Sequence, residues 1–394
     1  MRLHVAAVPL TAIYLAVCGL YAQQAAPPTA LTMPQAVESA LRNYPSIRVS
    51  QEQMNAAAAG IRLAQTAYLP RVDGLAQLNR ATRNTFYGLL LPQGIIPGVD
   101  GIRANNLGSV WDSGVGLLVT WQPFDFGLRR SNEDTATAAQ AHAQAAVART
   151  RYDVSVATAD AFLTVVAAEQ TAQAARAAVD SWQILLRSIH ALVGAELRPG
   201  ADESRVQAES AMAQTQLAQA EQAIQMARSN VAKFVGMDPA QVNLNAGSLI
   251  DRLPPDKPAP ALDTRVHPIA LEQNAAITQE QSRLKSLQRT YYPQFVLQGV
   301  AAARGTGLEV DGARLGGFNG LAPTVQNYGL GLTVTFPVMD RFAIREQETA
   351  QAANIRASQA QYQLIAANLQ AQFNAALATL AGARQVAANT PVEV

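Results

Sequence analysis

The chain has 394 residues, a formal net charge of +1, 15% charged residues, 49% hydrophobic residues and 6% aromatic ones. So even a charge balance leaves no basic face for nucleic acid, and long Ala- and Gln-rich stretches do not suit the core of an ordinary soluble enzyme. The one cysteine, Cys18, lies in an N-terminal apolar run, so the rest of the chain has no disulfide or thiolate-metal chemistry.

Arg2 and His4, followed by the apolar stretch Val5 to Leu20, read as an export signal over residues 1–22, cleaved after Ala22. Leu15-Ala16-Val17-Cys18 resembles a lipid-attachment site, although Val17 is too large for the position before the cysteine. No other segment approaches the ~20 continuous apolar residues of a transmembrane helix. An exported chain of this kind is periplasmic, secreted or an outer-membrane β-structure.

After an Ala/Pro-rich leader, a helix is expected over residues 34–67, kinked or broken at Pro45. It ends at Tyr68-Leu69-Pro70, and the proline biases the residue before it to an extended conformation. The same arrangement returns later: a helix over residues 268–290 ends at Tyr291-Tyr292-Pro293, a shift of 223 that also carries Pro45 onto Pro268. Val119-Thr120-Trp121 recurs as Val334-Thr335-Phe336, and Asp125 lands on Asp340, with a shift of 215. A duplication with spacing kept this closely is a structural repeat.

Each copy carries strand signals. Gly114, Gly116, Leu118 and Thr120 alternate with Val115, Leu117, Val119 and Trp121; Gly329, Gly331, Thr333 and Thr335 alternate with Leu330, Leu332, Val334 and Phe336. Period-two alternation with one fully apolar face is a half-buried strand, and about nine to eleven such residues cross a bilayer when tilted. The apolar sets are expected to face lipid, and the Gly/Thr sets an aqueous lumen. Less regular partner strands start at Val72 and Phe295, with loops expected over residues 81–112 and 302–327.

A long helix follows each strand pair. Residues 127–193 contain no proline and no internal glycine, 67 residues in all, or ~100 Å at the helical rise. Val147, Val154, Ala161, Ala168, Ala175, Trp182 and Ile189 step by seven, with Val165, Ala172, Val179, Leu186 and Val193 beside them, as in a coiled coil. Residues 194–200 break the helix at Pro199, Asp202 is a reasonable N-cap, and Val206, Ala213, Ala220, Ala227 and Phe234 carry the stripe back. Residues 237–265 read as a Pro-rich, semi-rigid linker. Shifted by 215, the heptads recur as Tyr362, Leu369, Ala376 and Ala383 beside Phe373, Leu380, Ala387 and Val394.

Together these residues resemble the outer-membrane efflux protein (TolC) family, with a first repeat over residues 31–236 and a second over 266–394. The fold expected is mainly α with a small β part, built from a duplicated helix–strand–strand–long-helix unit. The resemblance implies a homotrimer in which four strands per chain make a twelve-stranded outer-membrane barrel, continued by a periplasmic α-barrel of coiled-coil helices. It implies a passive exit duct of a tripartite efflux or type I secretion system in a Gram-negative outer membrane. The partners implied are outer-membrane lipid, a periplasmic adaptor and an inner-membrane transporter, with the adaptor meeting the hairpin tip at Gly194, Glu196, Arg198, Gly200 and Asp202. The second hairpin should turn near position 409 and return to about 451, beyond Val394, so the second repeat is expected to be truncated before its return helix. The alternative is a truncated, structurally degenerate periplasmic coiled-coil protein without a working pore.

No catalytic residue, metal or cofactor is expected, and no nucleic-acid partner. His4, His142, His190 and His267 are scattered and read as signal, helix-surface or linker residues, and no Ser/His/Asp set, HExxH or phosphate-binding motif occurs. Gly305-Thr306-Gly307 reads as a strand-tip loop. Asp125 and Asp340 are expected to cap the long helices, and Arg129, Arg130 and Arg345 to be solvated at the helix starts.

Overall fold

A computed structural model describes residues 30–82, 108–251, 258, 260–307, 309 and 314–393. The signal region with Cys18, most of the first strand–strand connection, Pro254, Pro255 and Val394 lie outside the described residues.

Helix α1 (Met33–Asn43) and helix α2 (Pro45–Thr66) are separate, with Tyr44 extended between them, so Pro45 breaks the helix rather than kinking it. Strands β1 (Arg71–Thr82) and β2 (Ser109–Phe124) lead into α3 (Leu128–Gly194) and α4 (Gly200–Val235). A single turn, α5 (Ser248–Asp251), precedes α6 (Pro268–Arg289), β3 (Gln294–Thr306), β4 (Val325–Thr335) and α7 (Arg341–Glu393). The strands reach into the spans expected as loops, because the antiparallel ladders continue to Thr82–Ser109 and Thr306–Asp112.

The chain forms two compact units. One holds Met1–Pro45 with Tyr152–Asp256, and its core is Phe162, Val165, Val231 and Val235 with Ala36 of α1 and Val242. Phe162, Val165, Val231 and Val235 are the heptad residues and their neighbours where α3 and α4 run antiparallel. Small Ala172 and Ala220 let the two helices approach, flanked by the pairs Arg176–Glu221 at 2.9 Å and Arg228–Glu169 at 2.8 Å. These pairs, the first exposed and the second half-buried, contribute about 0–1 kcal/mol each and mainly favour one register.

Two expectations need correction in this unit. The stretch after Gly236 is not extended throughout: it makes a 3₁₀ turn at Pro239–Gln241, buries Val242, and pairs Leu244 with Leu31. Helix α4 starts at Gly200 with Pro199 as its N-cap, so Asp202 sits inside the first turn, where its charge still favours the positive end of the helix dipole.

The second unit holds Ser46–Arg151 with Lys257–Val394. Helix α6 lies beside α7, where Gln351 Nε2 donates to the Glu280 carbonyl at 3.0 Å and Gln273 Nε2 to the Ser358 carbonyl at 2.9 Å. It also meets the start of α3 through His142–Gln279 at 2.9 Å and Arg149–Glu272 at 2.8 Å. Leu369 of α7 is buried, whereas Leu380 further along the stripe is exposed.

The duplication is followed to the residue. A shift of 223 carries Pro45–Thr66 onto residues 268–289, the observed bounds of α6. The hydrogen-bond register is duplicated too. Arg71 pairs with Thr120; shifts of 223 and 215 carry them onto Gln294 and Thr335, which also pair. Arg80 with Trp111 maps in the same way onto the observed pair Ala303 with Gln326.

Candidate channel-forming sheet and its helix junctions

The four strands form one antiparallel sheet in the order β1-β2-β3-β4. Directly opposed residues share a face, so the ladders decide face membership. Val115, Leu117 and Val119 oppose Ala76, Gly74 and Val72 of β1 on one side, and Ala303, Ala301 and Gly299 of β3 on the other. Gly299 and Leu297 in turn oppose Leu330 and Leu332. Val115, Leu117, Val119 and Trp121 therefore stand on the same face as Leu330, Leu332 and Val334. That face is apolar until its far rim, where Arg80 lies 5.0 Å over Trp111.

The opposite face carries Gly114, Gly116 and Thr120 with Gly329, Gly331, Thr333 and Thr335. It also collects Asp73, Gln77 and Asn79 from β1, and Gln298 and Arg304 from β3. Leu75, Leu118, Val296, Val300 and Val325 interrupt its polarity. The contributions of β1 and β3 were not legible as alternation, because Leu75 and Ala302 fall on the polar face. The apolar face is open in the single chain, with Leu117 55% and Leu330 80% exposed. The strands of 11 to 16 residues are long enough to cross a bilayer.

Gly116 is needed where it stands: a Cβ there would come within 2.7 Å of the Ala302 Cβ and 2.9 Å of the Ala301 carbonyl. At Gly331, its repeat equivalent on the outer strand, a Cβ would meet nothing within 4 Å. Among the described residues, strands β1 and β4 each pair on one side only. Such edges in hydrocarbon would leave a row of backbone groups unsatisfied at several kcal/mol each.

Aromatic side chains gather where the sheet meets the helices. Phe124, Phe126 and Phe295 pack with centroids 4.6–6.2 Å apart, Phe126 stacks on Tyr292 at 5.6 Å, and Tyr291 meets Phe336 edge-on at 5.5 Å. Phe336 lies one residue past the end of β4. Phe126 and Gly127 both have positive φ, +51° and +87°, and so turn the chain sharply from β2 into α3.

Asp125 caps α3, accepting from the Gly127 amide at 3.1 Å and from the Arg129 amide and Nε at 2.8 Å each. Arg129 is not solvated: it is 8% exposed. Its guanidinium also donates to the carbonyls of Ala67 and Pro123 and lies 4.7 Å over the Tyr68 ring. These partners replace water, which is why the charge is buried. Burial pushes the Asp125 carboxyl up, and the hydrogen bonds from Arg129 and Gly127 outweigh it, holding the group below the usual aspartate range. Burial and the neighbouring Glu133 carboxylate raise the Tyr68 phenol. Trp121 Nε1 donates to the Tyr68 carbonyl at 3.1 Å, closing the cluster. At the second junction Asp340 stands just before α7, and its backbone carbonyl accepts the first helical hydrogen bond from the Ile344 amide at 2.8 Å. Arg130 and Arg345 are exposed, as expected of helix-start residues.

The tip between α3 and α4 exposes Gly194, Glu196, Arg198 and Gly200, with Asp202 half-buried. Leu197 N–H bonds the Leu192 carbonyl and Glu196 N–H the Val193 carbonyl, with Glu196 left-handed at φ +59°, an end usually given to glycine. Arg198 pairs with Asp202 at 3.3 Å and His190 with Glu203 at 2.7 Å. Among the described residues no group of His, Cys, Asp and Glu could hold a metal ion, and no helix is long and apolar enough to cross a membrane.

A mainly helical chain with one small antiparallel sheet matches the fold of outer-membrane efflux channels. Residues 36–237, just over half of the chain, match the family model described as outer membrane efflux protein, and the chain belongs to that family. Among solved structures it is similar to CusC, with a TM-score of 0.72 at 12% identity over 92% of this chain and 79% of that one. It is likewise similar to VceC of Vibrio cholerae (TM-score 0.66, 16% identity, 92% of this chain and 81% of that). The open state of MtrE of Neisseria gonorrhoeae gives a TM-score of 0.64 at 15% identity over 90% of this chain and 73% of that. At these identities the likeness is one of fold. No curated protein matches the chain.

Proposed function

We propose that this chain is one subunit of a homotrimeric outer-membrane channel, a passive exit duct in a tripartite efflux or type I secretion assembly. Three copies supply twelve strands and close the barrel; the apolar face meets lipid and the Gly/Thr-rich face lines the lumen. The observation that carries this reading is the sheet itself, with one apolar face, one mainly polar face and two unpaired edges. A soluble protein has no use for an uncovered apolar sheet face, and a membrane protein cannot leave the edges open. The long helices continue the duct into the periplasm, and the exposed α3–α4 tip docks the periplasmic adaptor that links the channel to an inner-membrane transporter.

Reconstitution into planar bilayers tests the proposal. Discrete, stable conductance steps are expected from protein that runs as three copies in detergent. Protein that remains monomeric and gives no steps at any concentration would instead favour a non-conducting coiled-coil protein.

A further inference from the structure

The internal repeat predicts more than the existence of a contact between copies. From it we infer the register: β4 of one copy pairs antiparallel with β1 of the next so that Leu332 faces Leu78 and Thr333 faces Gln77. The inference rests on the trimeric reading above and adds the residue-by-residue alignment of the two edge strands.

Within the chain, the two shifts convert one observed register into another without error, carrying every β1–β2 pair from Arg71–Thr120 to Ala81–Val110 onto an observed β3–β4 pair. The ladder between the repeats, β2–β3, has no second instance inside the chain. Its equivalent joins the last strand of one copy to the first strand of the next. Leu117 pairs with Ala301; moving Leu117 forward by 215 and Ala301 back by 223 gives Leu332 and Leu78. Leu118 with Val300 gives Thr333 and Gln77, and Gly116 with Ala302 gives Gly331 and Asn79.

One consequence of the construction and one observation outside it bear on the register. The first is facial parity. The β1–β2 and β3–β4 ladders place Leu78 and Leu332 on the apolar face and Gln77 and Thr333 on the polar face. The inferred pairs join like with like, whereas a one-residue slip would set Leu332 against Gln77 or Asn79 and reverse a strand's faces. The second is exposure: Leu78 at 57% and Leu332 at 61% are uncovered in the single chain. Side by side as a cross-strand pair, they cover one another.

Disulfide trapping in the full-length protein in its membrane tests the register, since a disulfide needs Cα atoms about 4.4–6.8 Å apart and a two-residue slip moves them to about 7–8 Å. Leu78→Cys with Leu332→Cys is expected to give several-fold more inter-copy disulfide than Ala76→Cys or Arg80→Cys with the same Leu332→Cys. On the other face, Gln77→Cys with Thr333→Cys provides an independent pair should the leucine variant fold poorly. Leu332→Cys alone sets the background from Cys18. Strongest trapping by Ala76 or Arg80 would overturn the register while leaving the trimer intact. No trapping by any pair would break the assembly of copies, and the register with it.

Discussion

The two strand-to-helix junctions share a backbone plan and a register, yet they are held by different chemistry. At the first, Arg129 joins Asp125, Tyr68 and two backbone carbonyls in a buried cluster, and Trp121 ties down Tyr68. At the second, the equivalents are Ile344, Asp340, Tyr291 and Phe336. Tyr291 packs on Phe336 there, while Met339 and Phe342 are 79% and 72% exposed. The first junction lies beside a strand paired on both sides; the second lies at the sheet edge. A charge can be buried only where its partners are already in place. An edge that docks another copy, as proposed here, would instead present apolar surface, whose burial is non-directional and tolerates docking.

The largest effect should come from breaking that contrast. Arg129→Met leaves the Asp125 carboxylate buried without its guanidinium and should cost about 3–5 kcal/mol. Ile344→Arg, which restores the missing cation at the second junction, should change stability by less than about 1 kcal/mol because that junction is exposed. Denaturant unfolding in detergent compares the two. Equal effects would mean that the first cluster is not an anchor.

The next contrast is between inner and outer strands. Leu117→Arg and Leu330→Arg should each cost about 2–4 kcal/mol in bilayer-folded protein if both lie near the midplane facing lipid. A cost at Leu117 alone would remove β4 from the lipid face.

The glycines refine this. Gly116→Ala collides with Ala302 and should cost about 1–3 kcal/mol. Gly331→Ala has open space in a single chain, so a comparable loss is expected only when copies assemble and Asn79 takes the place of Ala302. The measurement is the melting temperature of trimer and of dissociated chain for each variant.

The smallest effect is one of pH. The folded Asp125 carboxyl is depressed below its ordinary value of 3.8. Its contribution is therefore complete above that value and lost as pH falls through the folded one. The stability gap between the parent protein and Asp125→Asn should narrow from pH 7 towards pH 3. A gap that stays constant would show that the charge is not what the cap uses.

Much of the helical plan was readable before the structure. An interruption at Pro45, the extents of α6 and of the 67-residue α3 to within one residue, and the heptads follow from proline geometry and apolar period, which are local properties. The alternation in β2 and β4 was equally plain, because apolar residues at every second position, Val115 to Trp121 and Leu330 to Val334, mark one face of each. Strands β1 and β3 were harder, since Leu75 and Ala302 sit on the polar face and blur the period.

By itself the sequence determined that this is a duplicated chain of long small-residue helices and short amphipathic strands. Period and spacing are encoded residue by residue, and two copies check each other. Only the tertiary structure decided that Arg129 is buried, that the apolar sets of both repeats share one sheet face, and that Gly116 is crowded while Gly331 is open. Those outcomes depend on which groups from distant parts of the chain arrive beside a residue. Tyr68 beneath Arg129 and Ala302 against Gly116 are brought there by strand pairing.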